Sequence, residues 1–271
     1  MNIYYKNNKN QVIYLSKWPI MLQNPEELYN YKWDYETKNN RISSFESEVQ
    51  EKSLELSFFA DSKEEFEKIF NGLYEIAEYD IVQEIPGKLY INEQYMNCYI
   101  ISEEITTFDY EMESIDTKIK VVTDEPKWLK GTMFTFRPLK RLNANLDYEY
   151  DYEYDYMADR IIDSFENNSA FPCEFRLVIY GSCVFPSVFI GGHEYSLSIT
   201  LEDNEYLVID SIQKTITKYE NDGTEDNIYN YRSRDSYIFE KIQNGTVSVL
   251  SDGEFGFDLT VFEERSKPKW T

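Results

Sequence analysis

The chain of 271 residues has little of the equipment from which catalytic centres are usually built. It carries one histidine, His193, and three cysteines, Cys98, Cys173 and Cys183. A single imidazole closes off zinc sites made of several histidines and leaves a Ser-His-Asp triad without support. Three thiols, an odd number without C-x-x-C spacing, imply no disulfide framework and read as buried thiols of a protein made inside a cell. There is no Gly-rich phosphate loop, no G-x-S-x-G elbow and no H-E-x-x-H pair. Long apolar runs are missing as well. No stretch approaches the roughly 20 apolar residues that a membrane-crossing helix needs, and Met1–Asn10 lacks the apolar core of a secretory signal. Positive charge is scarce: 27 Lys and Arg stand against 50 Asp and Glu, a net charge of −23. Such a surplus opposes binding to nucleic acid or anionic membrane through a basic face.

Aromatic residues are what the chain has in quantity: 24 Tyr, 17 Phe and 4 Trp. Disorder favours high net charge with few aromatics, so these rings argue instead for a packed core. The length suits two domains better than one.

The dominant period is two. Val49–Ala60 alternates through Leu54, Leu56 and Phe58, as a strand with one buried face does. Lys88–Ile101 alternates through Leu89, Ile91, Tyr95 and Tyr99 after the Pro86-Gly87 turn signal, and Ile115–Val122 continues in that style. One segment breaks the pattern. Asp61–Tyr79 places Phe66, Ile69, Phe70, Leu73, Ile76 and Ala77 on one helical stripe. Ser62 and Glu65 fit a capping box, which predicts a helix over about 62–78 lying on one face of an N-terminal sheet. Further on, Phe175–Tyr180, Ser187–Ile190, Tyr195–Thr200 and Tyr206–Ile209 are separated by glycine and asparagine turns. Asn221-Asp222-Gly223, Gln243-Asn244-Gly245 and Ser251-Asp252-Gly253 punctuate three later hairpins. Short strands at such spacing indicate an antiparallel sandwich. The fold class is mainly β in both halves, with the one helix in the first.

Two features invite chemistry. Asp147–Tyr156 reads DYEYDYEYDY, so a strand there would carry Asp147, Glu149, Asp151, Glu153 and Asp155 on one face and five tyrosines on the other. Hard oxygen ligands so placed suit calcium. The plainer reading, preferred because no glycine-turned loop is present, is an edge or crossover segment whose charge discourages pairing. His193 stands beside Glu194 in a turn, but neighbours along a strand face opposite ways, which makes it an ordinary surface histidine. Fifty acids make any pair of carboxylates unspecific, so a glycosidase reading has no positive support. No catalytic, cofactor-binding or metal-binding residue is assigned, and no cofactor is expected. Trp18, Trp33, Trp128 and Trp270, with the tyrosines, suit either sugar stacking or protein interfaces.

Several segments resemble the distal tail proteins of siphophages. They are Leu146–Tyr156, Phe175–Gly181 (FRLVIYG), Ile190–Tyr195 (IGGHEY), Glu205–Lys218 (EYLVIDSIQKTITK), Tyr237–Gly245 (YIFEKIQNG) and Phe255–Trp270, which ends in EERSKPKW. Thr123–Trp128 (TDEPKW) closes the first half in the same style. The resemblance spans most of the chain, most closely from Leu146 on. It implies a ring-forming N-terminal β domain with a helix over 1–133. A galectin-like β-sandwich would follow over 134–271, entered through 147–156. It further implies a structural virion protein rather than an enzyme: a homohexameric hub of the baseplate at the tail tip, assembled in the bacterial host cytoplasm. Such a hub would join the major tail tube protein to tail-associated, tail fibre or receptor-binding proteins, with DNA passing through unbound and no membrane insertion. The alternative is a carbohydrate-binding, lectin-like module.

Overall fold

The computed structural model describes residues 1–109, 114–138 and 161–270. The chain divides into two compact units, Met1–Lys130 with Glu264–Thr271, and Gly131–Glu263. The last eight residues, read from the sequence with the second half, thus fall with the first unit. Their anchor is Gln94, whose side chain accepts from Lys269 N at 2.7 Å and donates to Lys269 O at 3.1 Å.

In the first unit the strands are β1 (Ile3–Lys6), β2 (Val12–Tyr14), β3 (Ser16–Lys17), β4 (Ile20–Leu22), β5 (Asp34–Lys38), β6 (Arg41–Glu46) and β7 (Gln50–Phe59). Helix α1 (Lys63–Gln83) follows, then β8 (Gly87–Ile91), β9 (Gln94–Asp109), β10 (Ser114–Thr123) and the start of β11 (Trp128–Phe136). All pairings are antiparallel: β9 with β10, β10 with β7 and β7 with β4, while β1 joins β2 to β8. The alternation read in Val49–Ala60 is realised, since Leu54, Leu56 and Phe58 are all buried. Against them lie Leu73 and Ala77 of α1, with Phe66, Ile69, Phe70 and Ile76 packed on the same core. The sequence places that stripe correctly.

The helix begins as expected. Ser62 Oγ accepts from Glu65 N at 3.3 Å, and Glu65 returns to the N–H of Asp61 at 3.2 Å. It runs further than expected, to Gln83, because Glu84 takes a left-handed φ of 55° and closes the last turn onto the Asp80 and Ile81 carbonyls. Lys88–Ile101 is a hairpin rather than one strand. Asn92, with φ 53°, turns β8 back onto β9, a conformation that asparagine accepts at low cost.

The second unit is a sandwich. Its strands are β12 (Ile161–Asn167), β13 (Glu174–Tyr180), β14 (Cys183–Val184), β15 (Ser187–Ile190), β16 (His193–Ser196), β17 (Thr200–Leu201), β18 (Tyr206–Asp210), β19 (Thr215–Tyr219), β20 (Glu225–Asn227), β21 (Gly245–Ser251) and β22 (Phe257–Arg265). One sheet runs β20-β19-β18-β13-β22 and the other β12-β21-β15-β16. Phe175, Leu177, Ile179, Leu207, Ile209 and Leu259 from the first meet Val188, Ile190, Tyr195, Val247 and Val249 from the second in one core. Ser251-Asp252-Gly253 is a crossover and not a hairpin: β21 pairs with β12 and β15, whereas β22 pairs with β13. The expected strand Tyr195–Thr200 is likewise broken after Ser196, and Thr200–Leu201 pairs with β14.

Candidate assembly interface

Among the described residues, no group of three or more His, Cys, Asp or Glu side chains is placed to hold a metal ion. The acidic tract with Asp147, Glu149, Asp151, Glu153 and Asp155 lies outside the described residues. His193 opens β16, with Nε2 2.9 Å from the Tyr237 carbonyl and its ring edge-on to Tyr195. Glu194 does not orient it; that carboxylate accepts from Ser187 Oγ at 2.9 Å. All three cysteines are buried and free. Burial pushes the Cys98 thiol far up, and burial with Asp252 and Glu254 nearby takes Cys183 to about 11.

The four tryptophans do not form one class. Trp128 is buried in the first core, whereas Trp18, Trp33 and Trp270 are exposed. Each exposed ring is nonetheless held. Trp18 stacks on Phe59, Trp33 Nε1 donates to Ser266 Oγ at 3.2 Å, and Trp270 leans on Tyr29 with centroids 4.9 Å apart.

Two surfaces of the first unit are open to another molecule. The first is the β5–β6 hairpin. Its turn is Asn39-Asn40, both at positive φ, the conformation of a tight two-residue hairpin loop. Tyr35 faces Phe45 and Thr37 faces Ile42, with a register shift between Glu36 and Thr37 that leaves Ser43 bulged. Residues two apart share a face, so Tyr35, Thr37, Ile42 and Phe45 line one side. Tyr35 is 62% exposed, Ile42 55% and Phe45 63%. A two-stranded ribbon is marginal in water by itself, and an apolar face left open on one marks an interaction site. Sequence reasoning passed over this hairpin; the Asn-Asn pair between alternating segments was the signal that would have found it.

The second surface is the edge of β9. Residues Tyr99–Asp109 pair with β10 on one side. Elsewhere along β9, β8 covers only Gln94–Cys98 and β11 only Tyr95, so among the described residues no second strand pairs with 100–108. Ile101, Ile105 and Phe108 are exposed along it. An open edge of this length presents a row of backbone donors and acceptors, a template for a further strand.

The architecture has close counterparts among solved structures. This chain has the fold of a phage distal tail hub protein. It is similar to the Dit protein of phage SPP1, described as a paradigm of the hub adsorption apparatus in phages infecting Gram-positive bacteria. That likeness has a TM-score of 0.58 at 8% identity and covers 97% of this chain and 98% of that one. It is similar also to a chain of the phage P2 baseplate in its activated conformation with calcium, with a TM-score of 0.63 at 13% identity, covering 98% and 99%. The same baseplate with strontium gives 0.62 at 13% identity. No family model matches the sequence, and no curated protein matches it. The shared fold is therefore carried by topology and burial pattern rather than by identical residues.

Proposed function

We propose that this chain is a structural subunit of a phage tail tip, the hub of a baseplate, and that it works as a homohexameric ring. The observation that carries the reading is the likeness to hub and baseplate chains over nearly the full length of both partners, across both units. The open β9 edge and the apolar face of the β5–β6 hairpin supply what a ring requires, a strand template and an apolar patch on every copy. In this reading the first unit forms the ring. The second, for which the resemblance implies a galectin-like shape, stands outside it. The major tail tube protein would sit on one side and tail-associated, tail fibre or receptor-binding proteins on the other. Its place is the virion tail, reached by assembly in the host cytoplasm, and its role is mechanical rather than catalytic. The net charge of −23 suits a channel through which DNA must slide, since a basic lining would hold phosphates.

The lectin alternative gains less. A row of tyrosines on the second unit, Tyr180, Tyr206 and Tyr219, stands side by side across β13, β18 and β19. Tyr206 and Tyr219 stack on each other at 4.7 Å with an angle of 8° between their planes. One face of each ring is thus spent on the other.

Light scattering on the purified protein, with negative-stain images of the main peak, tests the hub reading. Six copies of 32.4 kDa, about 194 kDa, in a ring with a central hole is the expected result. A monodisperse monomer, both alone and co-expressed with a phage tail tube protein, counts against it.

A further inference from the structure

We infer that a groove of the first unit, under its C-terminal segment, is a docking site for an acidic, aromatic-bearing peptide strand of a partner protein. This stands on observations separate from the hub reading. The groove has a volume of about 330 Å³, and its apolar walls are Tyr29, Pro268 and Trp270. Trp270 is 80% exposed, so one face of a large ring is open to an incoming side chain. Around this floor stand Arg265, Lys267 and Lys269, opposed by the single carboxylate of Glu26.

The charge here runs against the rest of the molecule. Arg265–Trp270 carries three cations in six residues and no acid, in a chain with 27 cations among 271 residues and a surplus of 23 negative charges. Among the described residues neither Lys267 nor Lys269 has a carboxylate within ion-pair distance. Lys267 instead lies over the Tyr31 ring, 5.8 Å from its centroid.

The groove is also preformed. Gln94, itself buried, holds the Lys269 backbone through both ends of its amide. On the opposite wall, the short helical turn Pro25–Tyr29 is fixed from beneath by Lys52. That ammonium group is buried and donates to the Glu27 carbonyl at 3.2 Å and the Asn30 carbonyl at 2.6 Å. A site already rigid loses little entropy on binding.

These features choose the ligand class. The ammonium groups of Lys267 and Lys269 at the rim call for carboxylates, and a small apolar floor with an exposed indole calls for a ring. A long polyanion is disfavoured because it would have to run on across the surrounding negative surface, whereas a peptide touches only the local positive one.

The test is fluorescence anisotropy with the full chain. The probe is a labelled decapeptide of alternating glutamate and tyrosine; controls are the same peptide with serine for tyrosine and a single-stranded DNA oligomer. The Glu-Tyr peptide is expected to bind saturably, more weakly as salt rises. The double variant Lys267→Glu, Lys269→Glu should weaken it by roughly tenfold. Trp270→Ala should weaken it several-fold, while Trp270→Phe, which keeps a ring, should retain most of the affinity. All three side chains changed here are exposed, and unchanged melting temperatures will confirm that each variant is folded. Absence of saturable binding overturns the inference. So does equal affinity for the serine peptide, indifference to these substitutions, or tighter binding of DNA through the same lysines.

Discussion

The Tyr5 hydroxyl donates to the Asp80 carboxylate at 2.6 Å in the interior of the first unit. Asp80 accepts a second bond from Asn8 N at 2.9 Å and is fully buried. One contact thereby ties the first strand to the last turn of α1. The third element of the knot is Gly87 at the head of β8, where an added Cβ would overlap both the Tyr5 hydroxyl and the Asp80 carboxylate. Tyr5→Phe leaves a buried carboxylate short of a donor and should cost about 1–3 kcal/mol. Gly87→Ala should cost at least as much, since neither the ring nor the carboxylate has room to retreat. Gly72 gives the opposite sign. It lies inside α1 with nothing within 4 Å of an added Cβ. Gly72→Ala should therefore stabilise by about 0.5–1 kcal/mol. Urea unfolding of the three variants checks the order; a Gly87→Ala protein as stable as the parent would refute the packing described.

The same carboxylate sets a pH dependence. Burial raises the Asp80 pKa above its ordinary value, against the pull of Tyr5 and Asn8. The folded state then holds that proton more tightly than the unfolded chain does. Asp80 thus contributes best below the unfolded pKa of about 4, and its contribution falls as pH rises through the folded value. Glu174 in the second unit behaves in the opposite sense. Burial pushes its carboxyl up, but the Ser211 hydroxyl at 2.5 Å and Lys241 at 2.9 Å, with Lys214 behind, bring it below the ordinary value. Its contribution is present above the unfolded pKa of about 4.3 and is lost as pH falls through the folded one. Melting curves across the acid range should show Asp80→Asn relieved of the decline on the alkaline side of that window. Glu174→Gln should lose part of the acid sensitivity. Parallel profiles for both variants and the parent would contradict these assignments.

Buried cysteines make a chemical prediction. The thiol of Cys98 is pushed far up by burial and that of Cys183 to about 11, and Cys173 is buried too. The thiolate is the reactive form, so the native protein should react with Ellman's reagent only slowly. All three thiols should react at once in denaturant. A fast native phase equal to one thiol or more would show that one of these sites opens.

What was legible in the sequence followed from local periodicity. Ser62 and Glu65 mark the start of α1, and Leu54, Leu56 and Phe58 mark the buried face of β7, because caps and alternation depend on near neighbours. The misreadings are of two kinds, local turns and long-range pairings. Asn92 ends β8 within an alternating run, and alternation carries through a two-residue turn without interruption. Gly253 sits in a turn like any hairpin's, yet β22 pairs with β13, where partners such as Glu174 and Phe262 are far apart in sequence. No local signal states that Lys269 will be gripped by Gln94. The two open surfaces were the least legible, because an exposed Tyr35 or Phe45 looks in sequence like any core aromatic.

Those two rings give the sharpest test of assembly. Tyr35 and Phe45 face one another across the β5–β6 hairpin, and both are exposed in the single chain. Replacing both with Asp removes apolar contact and places two like charges directly opposite each other, which a partner surface could not bury without a counter-ion. Within the single chain nothing is lost from the core, so the unfolding free energy should stay within about 0.5 kcal/mol of the parent apart from local fraying of the hairpin. Ile105→Lys on the open edge of β9 acts on the other surface, since an edge lysine blocks strand addition. Each variant should lower the assembled mass measured by light scattering toward that of one chain, with the single chain still folded by circular dichroism and any fall in melting temperature no larger than the loss of assembly itself explains. The control is Tyr237→Ser on the second unit, also exposed, which should leave the assembled mass unchanged. If Tyr35→Asp with Phe45→Asp, and separately Ile105→Lys, all assemble like the parent, neither surface is the ring contact.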